Sequence, residues 1–189
     1  SPNSRKAAPD YQRFLLNPKL FTPDERWTYD GSDKYPNPKA RFGGALVAQK
    51  GTVSIGDNRW LNTGAFVQYQ LVKHDSVAAA QQAFKASALP KPGRFARRTT
   101  RSLKAGDEAR DESDTVVDER GEPVSYHRRV DVRYGAYHLA VIGSADMKTF
   151  GPAPASGRRR WLCEDVFDNV LKAALSRCNA ELRPKRTSH

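Results

Sequence analysis

Residues 128–141 read RRVDVRYGAYHLAV, two alternating runs separated by a Gly135-Ala136 turn. In each run every second residue is apolar, and the residues between are charged, polar or small. A period of two is typical of a strand that buries one face. Two such runs joined by a tight turn predict an antiparallel β-hairpin, which puts a sheet at the centre of the fold.

Further strands are predicted upstream of this hairpin. Ala65–Val72 shows the same alternation, and Phe95–Lys104 also has the composition of a strand. Ala45–Gln49 and Thr52–Ile55 are short runs that we predict to be two strands around a Lys50-Gly51 turn. Because consecutive strands joined by short turns pair antiparallel, an antiparallel sheet is expected.

The stretch just before the hairpin is acidic. Gly106–Asp114 has no apolar alternation, so we predict a loop there, followed by a short strand at Thr115–Glu119.

Two helices complete the predicted fold. The first, about residues 76–88, follows Asp75 or Ser76, either of which can cap the free amides of the first turn. The second, about residues 159–182, has apolar residues at three- and four-residue steps and ends before a proline. The predicted class is therefore α+β, a curved antiparallel β-sheet covered on one face by these two helices.

The size of the chain fits one domain. It has 189 residues, of which 38% are hydrophobic and 10% aromatic, which excludes wholesale disorder. No apolar run approaches the roughly 20 residues that cross a bilayer. We expect a flexible tether at residues 1–10, a single α+β domain over 11–183 and a disordered tail at 184–189. Ser1 in place of a methionine leads us to expect a processed or trimmed N-terminus.

The two cysteines, Cys163 and Cys178, flank a helical pattern. An unbroken helix of about fifteen residues separates their Cα atoms by about 22 Å, whereas a disulfide tolerates roughly 7 Å. The periodicity favours one helix with two buried free thiols. The alternative is a helix that breaks near Asn169, folds back and allows a bridge, as would suit a secreted protein.

Charge is strong and unevenly distributed. The 32 Lys and Arg exceed the 21 Asp and Glu by 11, with eight bases against one acid in residues 61–105 and eight acids against two bases in 106–125. A basic surface attracts polyanions. The favoured interpretation is that the five basic residues between positions 94 and 104 partly pair with Asp107, Glu108, Asp111 and Glu112 across a sheet or loop. The candidate contacts to an anion or partner are Arg94, Arg97, Arg98, Arg101, Lys104, Arg158, Arg159 and Arg160.

Aromatic residues are frequent in the proline-rich N-terminal part. We expect this segment to pack its aromatic rings over the core. Alternatively, the rings line a binding groove, for which the candidates are Trp27, Tyr29, Tyr35 and Trp60.

Sequence motifs for catalysis are missing. The chain has no nucleophile elbow, phosphate loop, dinucleotide-binding fingerprint or paired-histidine metalloprotease motif. His127 and His138 lie on the two arms of the predicted hairpin but not opposite each other, so a metal or acid–base role is the weaker interpretation. Neither cysteine has a second Cys or His at zinc-ligand spacing. We therefore expect no catalytic residue, no metal and no cofactor.

Four features follow one another in a characteristic order. They are the strand Ala65–Val72 before an alanine-rich helix, the motif Gly106–Ala109, the hairpin at 128–141 and the helical motif Leu171–Leu175. Over about residues 60–182 this order resembles actinobacterial secreted lipoproteins and the extracellular sensor domains of their membrane kinases. The resemblance implies an exported, non-catalytic α+β domain that binds a ligand or partner at the envelope. Cysteines in such families often form disulfides, a pattern from which the alanine-rich run before Cys178 departs.

These observations lead to three hypotheses. The first is an exported or cell-envelope binding or sensory module of the bacterial lipoprotein type, which recognises a small ligand or a protein partner and catalyses nothing. It would be extracellular or on the cell surface, with anchoring through a segment before Ser1 as an open alternative and an anionic polymer as a further candidate partner. The second is a basic nucleic-acid-binding protein. The third is an enzyme with an unrecognised site.

Overall fold

The structure is a computed structural model. Its described residues are 12–30, 46–55, 63–146, 161 and 163–183. The tether predicted at residues 1–10 and the tail predicted at 184–189 lie outside them. Within the described part of the chain, no helix is both long and apolar enough to cross a bilayer.

Seven antiparallel strands and two helices make up the described fold, preceded by two short 3-10 turns at Gln12–Phe14 and Pro18–Leu20. The predicted class, α+β with a curved antiparallel sheet, is confirmed. The elements are β1 (Trp27–Asp30), β2 (Leu46–Ile55), β3 (Thr63–Lys73), α1 (Val77–Ala86), β4 (Ala96–Arg101), β5 (Glu108–Val117), β6 (Pro123–Tyr134), β7 (Tyr137–Asp146) and α2 (Glu164–Leu182). The open sheet has the order β1-β2-β3-β7-β6-β5-β4.

The predicted central hairpin is formed by β6 and β7. Tyr134 pairs with Tyr137 across the turn, and Gly135 has φ +57°, a conformation that favours glycine. The Asp107 carboxylate accepts hydrogen bonds from the Gly135 amide at 2.7 Å and from Arg133 Nη1 at 3.0 Å. The motif at 106–109 therefore holds the hairpin turn in place.

The acidic stretch predicted as a loop is instead strand β5, which runs from Glu108 to Val117. Its carboxylates meet arginines on the neighbouring strands, as between Glu108 and Arg133 at 2.6 Å. Because paired charges take the place of apolar side chains at these positions, the stretch lacks the hydrophobic alternation that identifies a strand.

The prediction of a turn at Lys50-Gly51 was also wrong, because strand β2 continues through both residues. Gly51 lies in mid-strand, where a Cβ atom would come within 2.5 Å of the backbone oxygen of Phe21. Phe21 is itself fully buried. The glycine therefore allows the N-terminal segment to pack closely onto the sheet.

The helices lie on opposite faces of the sheet, whereas the sequence placed both on one. Phe167 of α2 packs against Gly143 of β7, where a Cβ atom would lie 2.6 Å from its ring. Phe84 of α1 contacts the ring of His138, five residues earlier on the same strand. Side chains an odd number of residues apart point to opposite faces. We name these faces the α2 face and the α1 face.

The main hydrophobic core lies on the α2 face. It includes a row of fully buried side chains from the central strands, and α2 contributes its apolar stripe to it. Its members include Val67, Tyr69, Val130, Val132, Leu139, Val141, Phe167, Val170 and Ala174.

The terminal helix is unbroken, and Cys163 and Cys178 are both free and buried, as the periodicity predicted. Burial raises the pKa of each thiol to about 12. Both thiols therefore stay protonated at neutral pH and act as small apolar core groups.

Replacing Gly51 by Ala should lower the free energy of unfolding by about 1–3 kcal/mol, because the new methyl group collides with backbone rather than with a movable side chain. Urea denaturation would measure this. Gly64→Ala is the matched control, since its Cβ would meet its nearest neighbour at 3.5 Å. Equal stability of the two variants would contradict the close approach of Phe21.

Neither thiol should react with iodoacetamide in the folded protein at pH 7.5, since a buried neutral thiol is a poor nucleophile. Both should react after denaturation without a reductant. Mass spectrometry would count the adducts. A mass two units lower, with no adduct after denaturation, would indicate a bridge and contradict the continuous helix.

Candidate ligand-binding site

The basic and acidic runs of the sequence face each other as β4 and β5. Arg98 pairs with Asp114 through two hydrogen bonds, at 2.6 and 2.7 Å. Arg101 lies 3.6 Å from Asp111 and donates to the Ser113 hydroxyl. These two arginines of the candidate set are therefore engaged within the hairpin rather than open to a partner.

The remaining candidates divide into two groups. Arg94, Arg97 and Lys104 are exposed and have no carboxylate within ion-pair distance among the described residues. The candidates Arg158, Arg159, Arg160, Tyr35 and Trp60 lie outside the described part of the chain.

The net charge of the described residues is small. They hold 20 Lys and Arg against 18 Asp and Glu, so only +2 of the overall +11 belongs to them. The described residues therefore carry no large excess of positive charge, and the unpaired cations among them are local features.

The aromatic candidates of β1 contact the core rather than each other. Trp27 is buried. The Tyr29 ring packs on Phe21 at 5.7 Å between centroids, and its hydroxyl accepts a hydrogen bond from Gln49 Nε2 at 2.7 Å. These contacts fix the edge strand to the N-terminal segment, and the structure does not bring Trp27 and Tyr29 together as a groove.

A buried charge cluster lies under α1. Asp131 is fully buried and contacts Arg129 at 2.9 Å, Arg110 at 3.2 Å and His138 at 2.8 Å. Burial alone would raise the pKa of Asp131, but the hydrogen bonds from His138 and Arg129 outweigh it and hold the pKa below its ordinary value. The cluster therefore keeps a charged carboxylate inside the sheet.

Aromatic rings cover this charge cluster. Phe84 of α1 contacts the His138 ring at 6.2 Å, and Arg110 lies over the Phe84 ring at 4.6 Å. His74 stacks on His138 at 6.3 Å, and burial, followed by the nearby His138, lowers the pKa of His74. Since α1 covers the cluster, these groups stabilise the fold and are not open to a substrate.

Beyond α1 the same face is more open. Phe66 of β3 pairs with Thr52 on one side and Ser144 on the other, and the next row joins Lys50, Gln68 and Ile142. All six of these side chains are partly exposed. Phe66 and Ile142 are apolar residues at the polar positions of their strands, which is the one sequence signal that could have marked this surface.

A cavity of about 460 Å³ opens at this corner of the sheet. Its polar lining comes from Lys50, the hydroxyls of Thr52, Ser125 and Ser144, and Asp146. Lys50 Nζ lies 4.8 Å from the centre of the Phe66 ring and has no carboxylate partner among the described residues. Small-molecule sites have volumes of roughly 300–1,000 Å³ and a few polar groups in an apolar wall.

Three opposed residues on neighbouring strands next to this cavity carry a hydroxyl, an imidazole and a carboxylate group. Ser144, His127 and Asp114 occupy opposed positions on β7, β6 and β5. Both Asp114 oxygens are held by Arg98, and within the described chain no hydrogen bond joins His127 to either neighbour. Burial, followed by the charge of Arg129, lowers the pKa of His127. The arrangement therefore lacks the contacts that activate a nucleophilic serine.

Metal binding finds no support in the described residues, where no group of three or more His, Cys, Asp or Glu side chains is arranged to hold an ion.

Comparisons with known proteins give little further guidance. No protein-family model and no curated protein matches the chain. Among solved structures, the extracellular domain of PknH from Mycobacterium tuberculosis is similar, with a TM-score of 0.45 and 13% sequence identity over 90% of this chain and 95% of that one.

Asp131→Asn should destabilise the fold by about 3–5 kcal/mol at pH 7, as breaking a buried ion pair does. The folded pKa of Asp131 lies below the unfolded value near 4, so its carboxylate stabilises the fold above that pH. This contribution is lost as the pH falls through the folded pKa. The difference between wild type and variant should therefore shrink from pH 7 to pH 3 in urea denaturation.

The exposed pair of Asp24 and Arg26 supplies the control, because Asp24→Asn should change stability much less at every pH. A stability difference for Asp131→Asn that stays constant on acidification would show that the charge of Asp131 does not stabilise the fold.

Proposed function

We propose that this protein is a non-catalytic binding module that captures a small acidic molecule in the cavity beside Lys50 and Phe66. The observation that carries the proposal is a partly buried lysine without a described carboxylate partner, in a cavity of ligand size lined by hydroxyls. Lys50 differs in this respect from most arginines of the sheet, whose charge is matched by a carboxylate.

The chemistry of the cavity favours a carboxylate or phosphate joined to an apolar part. Lys50 provides the positive charge, and the hydroxyls of Ser125 and Ser144 can donate to the same anionic group. The Phe66 ring provides an apolar wall on the same face. A charge-assisted hydrogen bond is stronger than one between neutral groups.

The absence of catalysis is part of the proposal. It is supported by the engagement of both Asp114 oxygens with Arg98, so that Asp114, the residue opposite His127 on β5, does not orient the imidazole. The Lys50 site offers a cation and three hydroxyls beside the Asp146 carboxylate, and its described lining includes no histidine. Such a set of groups can hold an anion without transforming it.

An exported location, at the cell envelope or outside the cell, belongs to the same proposal. Its support is the resemblance of residues 60–182 to secreted lipoproteins and extracellular sensor domains. Recognition of a soluble acidic ligand would suit such a sensory module.

NMR titration of the 15N-labelled protein with phenyl phosphate and with benzoate tests the proposal. The amides of Thr52, Gly64 and Ser144 should shift on titration, and benzylamine, with the opposite charge, should leave them unchanged. Lys50→Met keeps the aliphatic stem and removes the charge, so affinity should fall about tenfold, equal to about 1.4 kcal/mol.

Lys73→Met is the matched control. Lys73 lies on β3, also over an aromatic ring, that of Tyr137 at 5.8 Å, but it does not line the cavity. Its loss should leave the affinity unchanged. The proposal fails if neither acid shifts the cavity amides, or if both lysine variants bind equally well.

A further inference from the structure

The free edge of β4 is a second surface that the cavity does not involve. In the strand order, β4 pairs only with β5, so its other side has no strand partner within the described chain. Val117 donates from its amide to the Phe95 carbonyl at 2.8 Å, and Phe95 lies directly opposite Val117 in the register. Hydrogen-bonded and non-hydrogen-bonded pairs alternate along an antiparallel ladder.

This alternation assigns the direction of each backbone group in β4. Arg97, Thr99 and Arg101 direct their amides and carbonyls toward β5, and Arg98 and Thr100 direct theirs outward. The amide of Ala96 also points outward, but it donates a hydrogen bond to the Gly93 carbonyl at 3.0 Å. The open part of the edge therefore consists of the amides of Arg98 and Thr100 and the carbonyls of Ala96, Arg98 and Thr100.

The side chains around this edge are basic. Arg94 and Arg97 are exposed at its start, and Lys104 is exposed just past its end. None has a carboxylate partner among the described residues, whereas Arg98 and Arg101 are paired with carboxylates of β5. Thr99 and Thr100 are also exposed and suit a strand surface.

The positive charges around β4 favour an acidic peptide over a second copy of β4 as the occupant of the edge. A second copy of β4 would place the basic segment ARRTTR against itself, and like charges on facing strands are destabilising. Edge charges of this kind commonly prevent self-association. The same charges attract an extended segment of opposite sign.

We propose that the β4 edge binds an acidic peptide in extended conformation, which adds to the described sheet as a further strand. Arg98 and Thr100 form the backbone hydrogen bonds, as in other cases of strand addition. Arg94, Arg97 and Lys104 select acidic peptides, because all three place exposed positive charge along this edge.

A fluorescein-labelled, acetylated octapeptide of alternating Glu and Thr tests this interaction by fluorescence anisotropy. It should bind the whole protein, and a matched peptide with Lys in place of Glu should not. A third peptide begins with Glu and has proline in place of Thr at its fourth and sixth positions, so it keeps every Glu but loses two backbone donors, and it should bind at least about tenfold more weakly.

Variants of the protein test separately how charge and backbone hydrogen bonds contribute to peptide binding. Arg97→Glu should weaken binding of the Glu peptide, and Lys172→Glu, the same charge change at an exposed position of α2, should not. Thr100→Pro removes only an outward amide and should also weaken binding, whereas Thr100→Ala retains the amide and should bind normally. Thermal melting checks that each variant is folded.

Three outcomes would overturn the proposal. One is no binding of the Glu peptide at low salt. Another is equal binding of the proline-containing peptide. The third is competition by a single-stranded oligonucleotide at the same charge concentration, which would show a general attraction for polyanions rather than strand addition.

Discussion

Pairing of charges between neighbouring strands is the constraint on which this structure depends. Arg128 holds Asp111 through two hydrogen bonds, at 3.0 and 2.7 Å, and stacks over the Phe167 ring at 4.5 Å. This one guanidinium therefore connects β6, β5 and α2. An acidic strand in the middle of a sheet is stable only where each buried carboxylate meets a cation, because an isolated buried charge is costly.

The same pairing explains where binding is proposed. Most cations of the sheet are matched by carboxylates, so those without a described partner stand out as local exceptions. Lys50 lies in a cavity, and Arg94 and Arg97 lie along an open edge. The two surfaces are separated by most of the width of the sheet, since Lys50 is on β2 and the edge is β4. One protein could thus hold a small ligand and an extended peptide at the same time.

Local patterns were enough to predict the hairpin at 128–141, β3 and both helices, because their apolar residues repeat with a clear period. Strand β5 could not be found in this way, since its partners are charges from distant positions such as Arg128. Gly51 was mistaken for a turn residue because its neighbour Phe21 is thirty residues away in sequence. Lys50 consequently looked like part of a loop, and its place in a cavity depends on strand register, which the sequence pattern does not define.

Exchange of the arginine Nε protons, followed by NMR, tests the charge pairing most directly. The Nε groups of Arg98 and Arg128 each donate to a carboxylate, at 2.6 and 3.0 Å, whereas Arg94 and Arg97 have no such partner within the described chain. We predict slow exchange for the first two and rapid exchange for the others at the same pH. Equally rapid exchange at all four arginines would contradict the account.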